Sequence, residues 1–390
     1  MSDELPTQRQ LVLPLLDALE ETPKGMTTRD LAGAVAERLG LSDAVREARI
    51  EISGQSRSHF RHRLRWAQQI AKFEGLAERS GGAWRLTRKG RDSLTKAVPG
   101  QVVTIFTTEN GAFLWGLAED AIGHVDDGSI AAIWTSPPYP LLTQKRYGNP
   151  MEAGVSYVDW LTRMVESWLP KLDGDDASVL LNLGDAWMPG MPSISTYQER
   201  LIVRLEDRLG LKLAQRFTWW NTSAPPGPTL WTCIRKVRVK QAAETIWWLS
   251  RSGHARGDNQ RVLVPYADDR PVQVGPRVKR PNGHWMRGHG FERENGGAIP
   301  PNVLPIANGS QDRAYFAACR AAGLPVHPAR FPADLAKFFI GLTTEQGETV
   351  LDPFGGSGTT ARVAEDMGRR WVSIEAMREY AEGARLRFAA

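Results

Sequence analysis

The chain has 390 residues, of which 42% are apolar and 24% charged, so it can bury a sizeable core and is not disordered throughout. Its net charge of +5 and pI near 9.2 are compatible with a polyanionic partner. Two cysteines, Cys233 and Cys319, make neither a disulfide framework nor a zinc site and fit a reducing cytoplasm.

No apolar run reaches the ~18–20 residues of a membrane span. Met1-Ser2-Asp3-Glu4 lacks a basic and apolar leader, so a cytoplasmic location is expected.

Taken in order, residues 1–98 read as a first domain. Leu11, Leu13, Leu15, Leu16 and Leu19 give Gln10–Glu20 helical spacing, with Pro14 in the first turn. Thr28 is placed to cap a second helix, Arg29–Leu39. Arg57–Phe73 reads as a third, carrying Arg57, Arg61, Arg63 and Arg65. Two short strands flank the Ser80-Gly81-Gly82 turn, and Lys89-Gly90-Arg91 opens a last helix. Three helices and a two-stranded wing are the winged variant of helix-turn-helix. With its closing Trp84 to Gly90, the unit resembles the N-terminal domain of Mrr-type restriction proteins. The arginines of the third helix, above all Arg57, Arg61 and Arg65, suit DNA phosphates. Contact with protein is the alternative use of such a domain.

Pro99-Gly100 marks a boundary, and residues 101–390 read as a second domain. Apolar, β-branched strands alternate with helices there: Val102–Phe106, Ile130–Trp134, Ser178–Leu183, Leu213–Trp220, Glu244–Leu249, Thr349–Asp352 and Arg370–Ile374. This is an α/β pattern with a mainly parallel sheet. Residues of about 250–320, rich in Gly, Pro, Arg and Asn, interrupt it as an insert.

Two loops carry chemistry. The strand ending in Asp352 runs into Pro353-Phe354-Gly355-Gly356-Ser357-Gly358-Thr359 and then a helix from Thr360. Glycines let the backbone approach a ligand, and the N–H groups at the helix start attract an anionic group. The next strand ends in Glu375, about 20 residues on, a spacing suited to two ribose hydroxyls. This is the pattern of a nucleotide-type site, for S-adenosylmethionine, NAD or another nucleotide, with plain strand–helix packing as the alternative. The second loop, Ser136-Pro137-Pro138-Tyr139, closes another apolar strand. Its serine hydroxyl and proline carbonyl offer two acceptors for an amino group, because proline fixes the backbone and has no N–H. Tyr139 can stack on a base turned out of a duplex.

Together and in this order, the two loops resemble those of the β-group DNA amino-methyltransferases. Asn182-Leu183-Gly184-Asp185, Trp220-Asn221, Glu244 to Arg251, and His327 to Pro332 match the same family. The resemblance covers residues 103–390. It implies a circularly permuted Rossmann-like α/β methyltransferase sheet behind the winged-helix domain. It implies S-adenosylmethionine as cofactor, double-stranded DNA as substrate and no metal. Phe331 and Pro332 would help enclose the methionine part of the cofactor. The family's third cofactor strand would be Val102–Phe106, where Glu109-Asn110 replaces the usual Gly-Asp; Asn110 is the positional candidate for the adenine contact. Ser136 at the first position of its loop points to cytosine-N4, with adenine-N6 as the alternative. Methylation of carbon 5 needs a cysteine nucleophile in a context that neither cysteine has. Lys145, Arg146 and Tyr147, in the loop after Tyr139, would close over the target. The insert would be the target-recognition region, with Arg277 and Arg280 among its DNA contacts. A cognate restriction endonuclease is the implied partner, and the oligomeric state stays open. An inactive winged-helix regulator is the reading from another class.

Overall fold

A computed structural model describes residues 5–140, 155–266, 277–279, 281–283, 285–287, 295–308 and 312–389. The chain divides into two units, Met1–Val98 and Pro99–Ala390.

The first unit contains α1 (Val12–Glu20), β1 (Met26–Thr27), α2 (Thr28–Arg38), α3 (Asp43–Glu47), β2 (Arg49–Ile52), β3 (Gln55–Ser58), α4 (His59–Phe73), β4 (Ala77–Ser80), β5 (Ala83–Leu86) and α5 (Arg88–Thr95). Leu15, Leu31, Val35, Phe60, Leu64 and Trp84 fill its core. The wing is the antiparallel β4–β5 pair, with β1 added on the far edge of β5. Three points differ from the sequence reading. Thr27, not Thr28, caps α2: its hydroxyl oxygen accepts from Asp30 N at 3.2 Å. Arg57 lies in strand β3 rather than on the helix, because Ser58 caps α4 by accepting from Arg61 N. The β2–β3 hairpin has too few apolar residues to announce itself, with the burial of a surface ribbon.

The second unit contains β6 (Val102–Thr107), β7 (Gly111–Gly116), α6 (Ala118–Ala121), β8 (Ala132–Thr135), α7 (Val155–Trp168), β9 (Ser178–Leu183), α8 (Tyr197–Leu209), β10 (Lys212–Trp220) and β11 (Ala243–Ser250). It continues with β12 (Arg277–Lys279), β13 (Trp285–Arg287), β14 (Val303–Pro305), α9 (Arg313–Ala321), α10 (Ala333–Thr343), β15 (Thr349–Asp352), α11 (Thr359–Asp366), β16 (Arg370–Glu375) and α12 (Arg378–Arg385). One nine-stranded sheet runs β14-β10-β11-β9-β8-β15-β16-β7-β6. Its centre, β9-β8-β15-β16-β7, is parallel throughout.

Central parallel strands are covered on both faces, and β8 and β9 are accordingly buried at every position and mostly apolar. Ile133, Val179 and Leu181 pack on one face with Leu161, Val165 and Trp168 of α7 and Leu201 and Leu205 of α8. Trp134 stacks on Phe339 of α10, ring centroids 4.7 Å apart. The permuted sheet is therefore present, with one correction. The strand beside β16 is Gly111–Gly116, and Val102–Thr107 is the antiparallel edge strand outside it. Glycine at position 111 is required: a Cβ there would lie 2.3 Å from the carbonyl oxygen and ring of Trp371.

Gly90 offers a test of packing against propensity. Alanine in its place should gain up to about 1 kcal/mol of helix propensity. Its Cβ would sit 2.0 Å from the Leu76 carbonyl oxygen. Gly90→Ala is expected to destabilise the first unit by about 1–3 kcal/mol, read by urea denaturation; a stabilised variant would contradict the contact.

Candidate functional site

Both loops emerge at the C-terminal edge of the parallel strands, where open α/β sheets do their chemistry. At the end of β15 the chain turns sharply. Gly355 N donates to Ile374 O at 2.7 Å, Gly356 N to a Glu375 carboxylate oxygen at 2.9 Å, and Gly358 N to Gly355 O at 2.8 Å. A Cβ on Gly355 would lie 1.9 Å from Ser373 Oγ, and Gly356 and Gly358 have φ of +51° and +74°. Only glycine meets these demands without strain. The result is a buried backbone cradle at the start of α11, bordered by the Ser357 and Thr359 hydroxyls, 3.2 Å apart.

Glu375 closes the cradle on the next strand. Its other oxygen accepts from Met377 N at 2.7 Å. Burial pushes this carboxyl up to about 7, against the pull of the backbone N–H donors. Phe354 is turned away from the cradle and packs on Trp160 and Trp168 of α7. Behind the loop, the buried Asp352 accepts from Thr135 Oγ1 at 2.7 Å, Thr360 Oγ1 at 2.6 Å and Phe354 N at 3.1 Å. Burial raises its carboxyl to about 6. Arg387, near the end of the chain, grips the loop from outside by donating to Ser357 O at 2.7 Å and Ser357 Oγ at 3.1 Å. Asp312 holds both Arg387 and Arg330. Phe331 stands edge-on to Trp134 and is followed by Pro332, the residue preceding α10.

Asn110 is not where the sequence reading put it. It precedes β7, at the N-terminal edge of the sheet, and its side-chain amide donates to Glu365 at 3.0 Å. Its carbonyl accepts from Trp371 N. The C-terminal edge of β7, at Gly116, is the end that shares the cradle's side of the sheet. Asn110 is thus a structural residue and no part of the cradle.

At the end of β8 lies Ser136-Pro137-Pro138-Tyr139. Ser136 Oγ and Tyr139 OH are 2.9 Å apart. Tyr139 OH donates to Glu244 at 2.7 Å, and Asn182 Nδ2 donates to Tyr139 OH at 3.0 Å and to Glu244 at 2.7 Å. Tyr157 OH, from α7, fixes the Pro138 carbonyl at 3.1 Å. The Tyr139 ring lies against Gly184, where a Cβ would come within 2.5 Å of it. Burial raises the Tyr139 phenol well above its usual range, and the nearby Glu244 adds to this, so Tyr139 stays protonated and donates. Burial also raises the Glu244 carboxyl.

Sequence reasoning found the loop but not this cluster. In the sequence, Asn182 and Glu244 show only a likeness to the family. They meet because β9 and β11 are antiparallel neighbours, pairing Leu183 with Thr245.

The expected DNA contacts are dispersed. Arg61 and Arg65 are exposed one turn apart on α4, whereas Arg63 is tied to the Leu5 and Pro6 carbonyls. Arg57 donates to Gln55 at 2.8 Å. Lys145, Arg146, Tyr147 and Arg280 lie outside the described residues, and for Arg277 only the backbone, in β12, is described. Within the insert, Arg256 is ion-paired with Asp173, Asp176 and Glu348, and Arg261 with Glu345.

Known proteins sharpen this picture. The sequence pattern of the N6_N4_Mtase family, DNA methylases, matches residues 130–386, and that of the Mrr N-terminal domain matches residues 9–96. The chain belongs to this family of DNA methylases and carries an Mrr N-terminal domain ahead of the methylase region. It is 39% identical over 289 residues to the Type II methyltransferase M.PvuII of Proteus hauseri, covering 73% of this chain and 85% of that protein. Identity to the Type II methyltransferase M.BglII of Bacillus subtilis is 24% over 276 residues, covering 66% and 63%. The solved structure of PvuII DNA methyltransferase (cytosine-N4-specific) superposes with a TM-score of 0.60 at 35% identity, covering 73% of this chain and 88% of that one.

The raised Asp352 and Glu375 carboxyls have a consequence for stability. Each binds its proton more tightly folded than unfolded, so their contribution is full below the ordinary carboxyl range and is lost as pH rises through about 6 and 7. The melting temperature of the ligand-free protein should fall over that window, and less so in Glu375→Gln. Equal slopes in both proteins would contradict the assignment.

Proposed function

We propose that the chain transfers a methyl group from S-adenosylmethionine to the N4 amino group of cytosine in duplex DNA, after the target base is turned out. The observation that carries this reading is the Ser136 loop beside the glycine cradle, on adjacent strands joined by the Thr135–Asp352 bond. The cytosine-N4 title of the PvuII enzyme supports the choice of base.

The cradle suits the proposed cofactor. Gly355, Gly356 and Gly358 allow the tight turn that would present the Ser357 and Thr359 hydroxyls and the first N–H groups of α11 to the carboxylate of its methionine end. Glu375 would accept from the ribose hydroxyls, and Phe331 and Pro332 would flank the methionine. Asp352 and Phe354 act on the loop rather than on the ligand. Bound S-adenosylmethionine supplies an electrophilic methyl group on a sulfonium, so no covalent enzyme intermediate is needed.

Cytosine's amino lone pair is delocalised into the ring, and an enzyme must turn it toward the methyl carbon. Ser136 Oγ and the Pro137 carbonyl would accept the two N–H bonds and do this. Positioning then carries most of the rate. As the N–C bond forms and the C–S bond breaks, the amine must lose a proton. The chain Ser136 Oγ, Tyr139 OH, Glu244 offers it a route to a buried carboxylate. Tyr139 both links this chain and presents its half-buried ring to the base.

In this reading Arg61 and Arg65 of the first unit contact phosphates, with Arg57 at the margin. Lys145, Arg146 and Tyr147 close over the target, and residues of about 250–320, Arg277 and Arg280 included, recognise the sequence. A restriction endonuclease of the same specificity is the natural partner.

Incubation with S-adenosylmethionine and varied genomic DNA, followed by digestion and mass spectrometry, should yield N4-methylcytosine. N6-methyladenine would overturn the base assignment, and no methylated base would overturn the activity. A second expectation concerns pH. Ribose hydroxyls donate to the ionised form of Glu375, whose carboxyl is about half protonated near pH 7 in the free protein. S-adenosylmethionine affinity, measured by calorimetry, should therefore rise from pH 6 to about 8 and then level. Glu375→Gln should bind more weakly, without that dependence.

A further inference from the structure

The connection from β10 to β11, residues 221–242, stands at the same edge of the sheet as Ser136. Pairing fixes this: Trp220 faces Ala243, and Thr245 faces Leu183 at the C-terminal end of β9. Within six residues it carries Arg235, Lys236, Arg238 and Lys240, and no Asp or Glu occurs between Trp220 and Glu244. All four cations are exposed. Arg238 donates to the Val237 carbonyl at 2.7 Å and Lys240 to the Ala224 carbonyl at 3.1 Å; among the described residues, none of the four has a carboxylate partner. This sets them apart from Arg256 and Arg261, whose charges are neutralised by the fold.

The segment is held in shape and held to the site. Arg235 N donates to Leu230 O, Val237 N to Trp231 O, and Gln241 N to Gly227 O. The Gln241 side chain donates to Asp185 at 2.7 Å, three residues past Asn182 of the catalytic cluster. Lys240 lies four residues before Glu244. At ~3.3–3.6 Å per residue, its Cα is within about 14 Å of that of Glu244. A base turned out toward Ser136 remains bonded to its own sugar, so the phosphates on either side are drawn to the mouth of the site. Uncompensated cations anchored there meet them first.

We propose that Arg235, Lys236, Arg238 and Lys240 form an arm that grips the phosphates flanking the extruded nucleotide. The proposal rests on the reading of the Ser136 loop as the seat of a flipped base. It makes this connection, rather than the longer insert, a main source of sequence-independent affinity.

The test uses the full chain and a fluorescent DNA duplex, with anisotropy measured over a range of salt. Each phosphate contact contributes about 0.9 to the slope of log affinity against log salt. The variant with Arg235, Lys236, Arg238 and Lys240 each replaced by Gln should lose about two or more units of slope and bind about tenfold or more weakly near 0.1 M salt. The double variant Arg238→Gln with Lys240→Gln should fall between it and the parent. S-adenosylmethionine affinity should be unchanged in both, which reports an intact fold. Unchanged slope and affinity, with a parent protein that methylates DNA, would overturn the arm and leave a contact with an acidic protein as the use of these charges. A parent protein that neither binds nor methylates DNA would overturn the reading beneath it as well.

Discussion

One buried hydrogen bond organises this molecule's chemistry. Thr135, the last residue of β8, donates to Asp352, the last residue of β15. The residue after Thr135 opens the Ser-Pro-Pro-Tyr loop, and the residue after Asp352 opens the glycine cradle. Parallel pairing of the two strands puts their C-terminal ends side by side. The bond then removes the remaining freedom. Both partners are almost fully buried, so breaking it would leave the Thr135 hydroxyl without its partner away from water. Thr360 adds a third tie, from the first turn of α11 to the same carboxylate. These bonds tie the cradle, the helix start and the Ser136 loop together. That is the condition for a reaction that depends chiefly on holding two groups in line.

Around this joint the fold spends its polar side chains unevenly. Arg387, Asp312 and Arg330 lock the outer side of the cradle. Asn182, Tyr139 and Glu244 set the orientation of Ser136 Oγ from behind. These groups come from separate stretches of the chain, and each is fixed by others. Around the Ser136 loop and the glycine cradle, the described side chains are therefore held by the protein's own bonds. The exposed cations of the β10–β11 connection are the contrast: among the described residues they have no carboxylate partner.

What could be read from the sequence was local. Ser136–Tyr139 and Phe354–Gly358 are contiguous, and each follows a strand with an apolar centre, Ile130–Trp134 and Val350-Leu351. The three helices and wing of the first unit were legible from leucine spacing and a Ser-Gly-Gly turn. Contacts made across strands were not legible. Nothing near Glu244 in the sequence says that its carboxylate meets Tyr139, 105 residues earlier. Gly111–Gly116 escaped notice because glycines bound it on both sides. The neighbouring Val102–Phe106 run took its place, and Asn110 was assigned to the wrong end of the sheet. Charge pairing was equally invisible: composition counts Arg256 among the insert's cations but cannot see Asp173, Asp176 and Glu348 closing around it.

The central claim is that Ser136 and the cluster behind it hold the amine during methyl transfer. Single-turnover methylation by Ser136→Ala, with S-adenosylmethionine and DNA affinities measured alongside, tests it most directly. The account predicts a methyl-transfer rate lower by about a hundredfold or more, the usual scale for a lost transition-state contact of this kind, with both affinities within about twofold of the parent. A variant that transfers methyl groups at the parent's rate would contradict it.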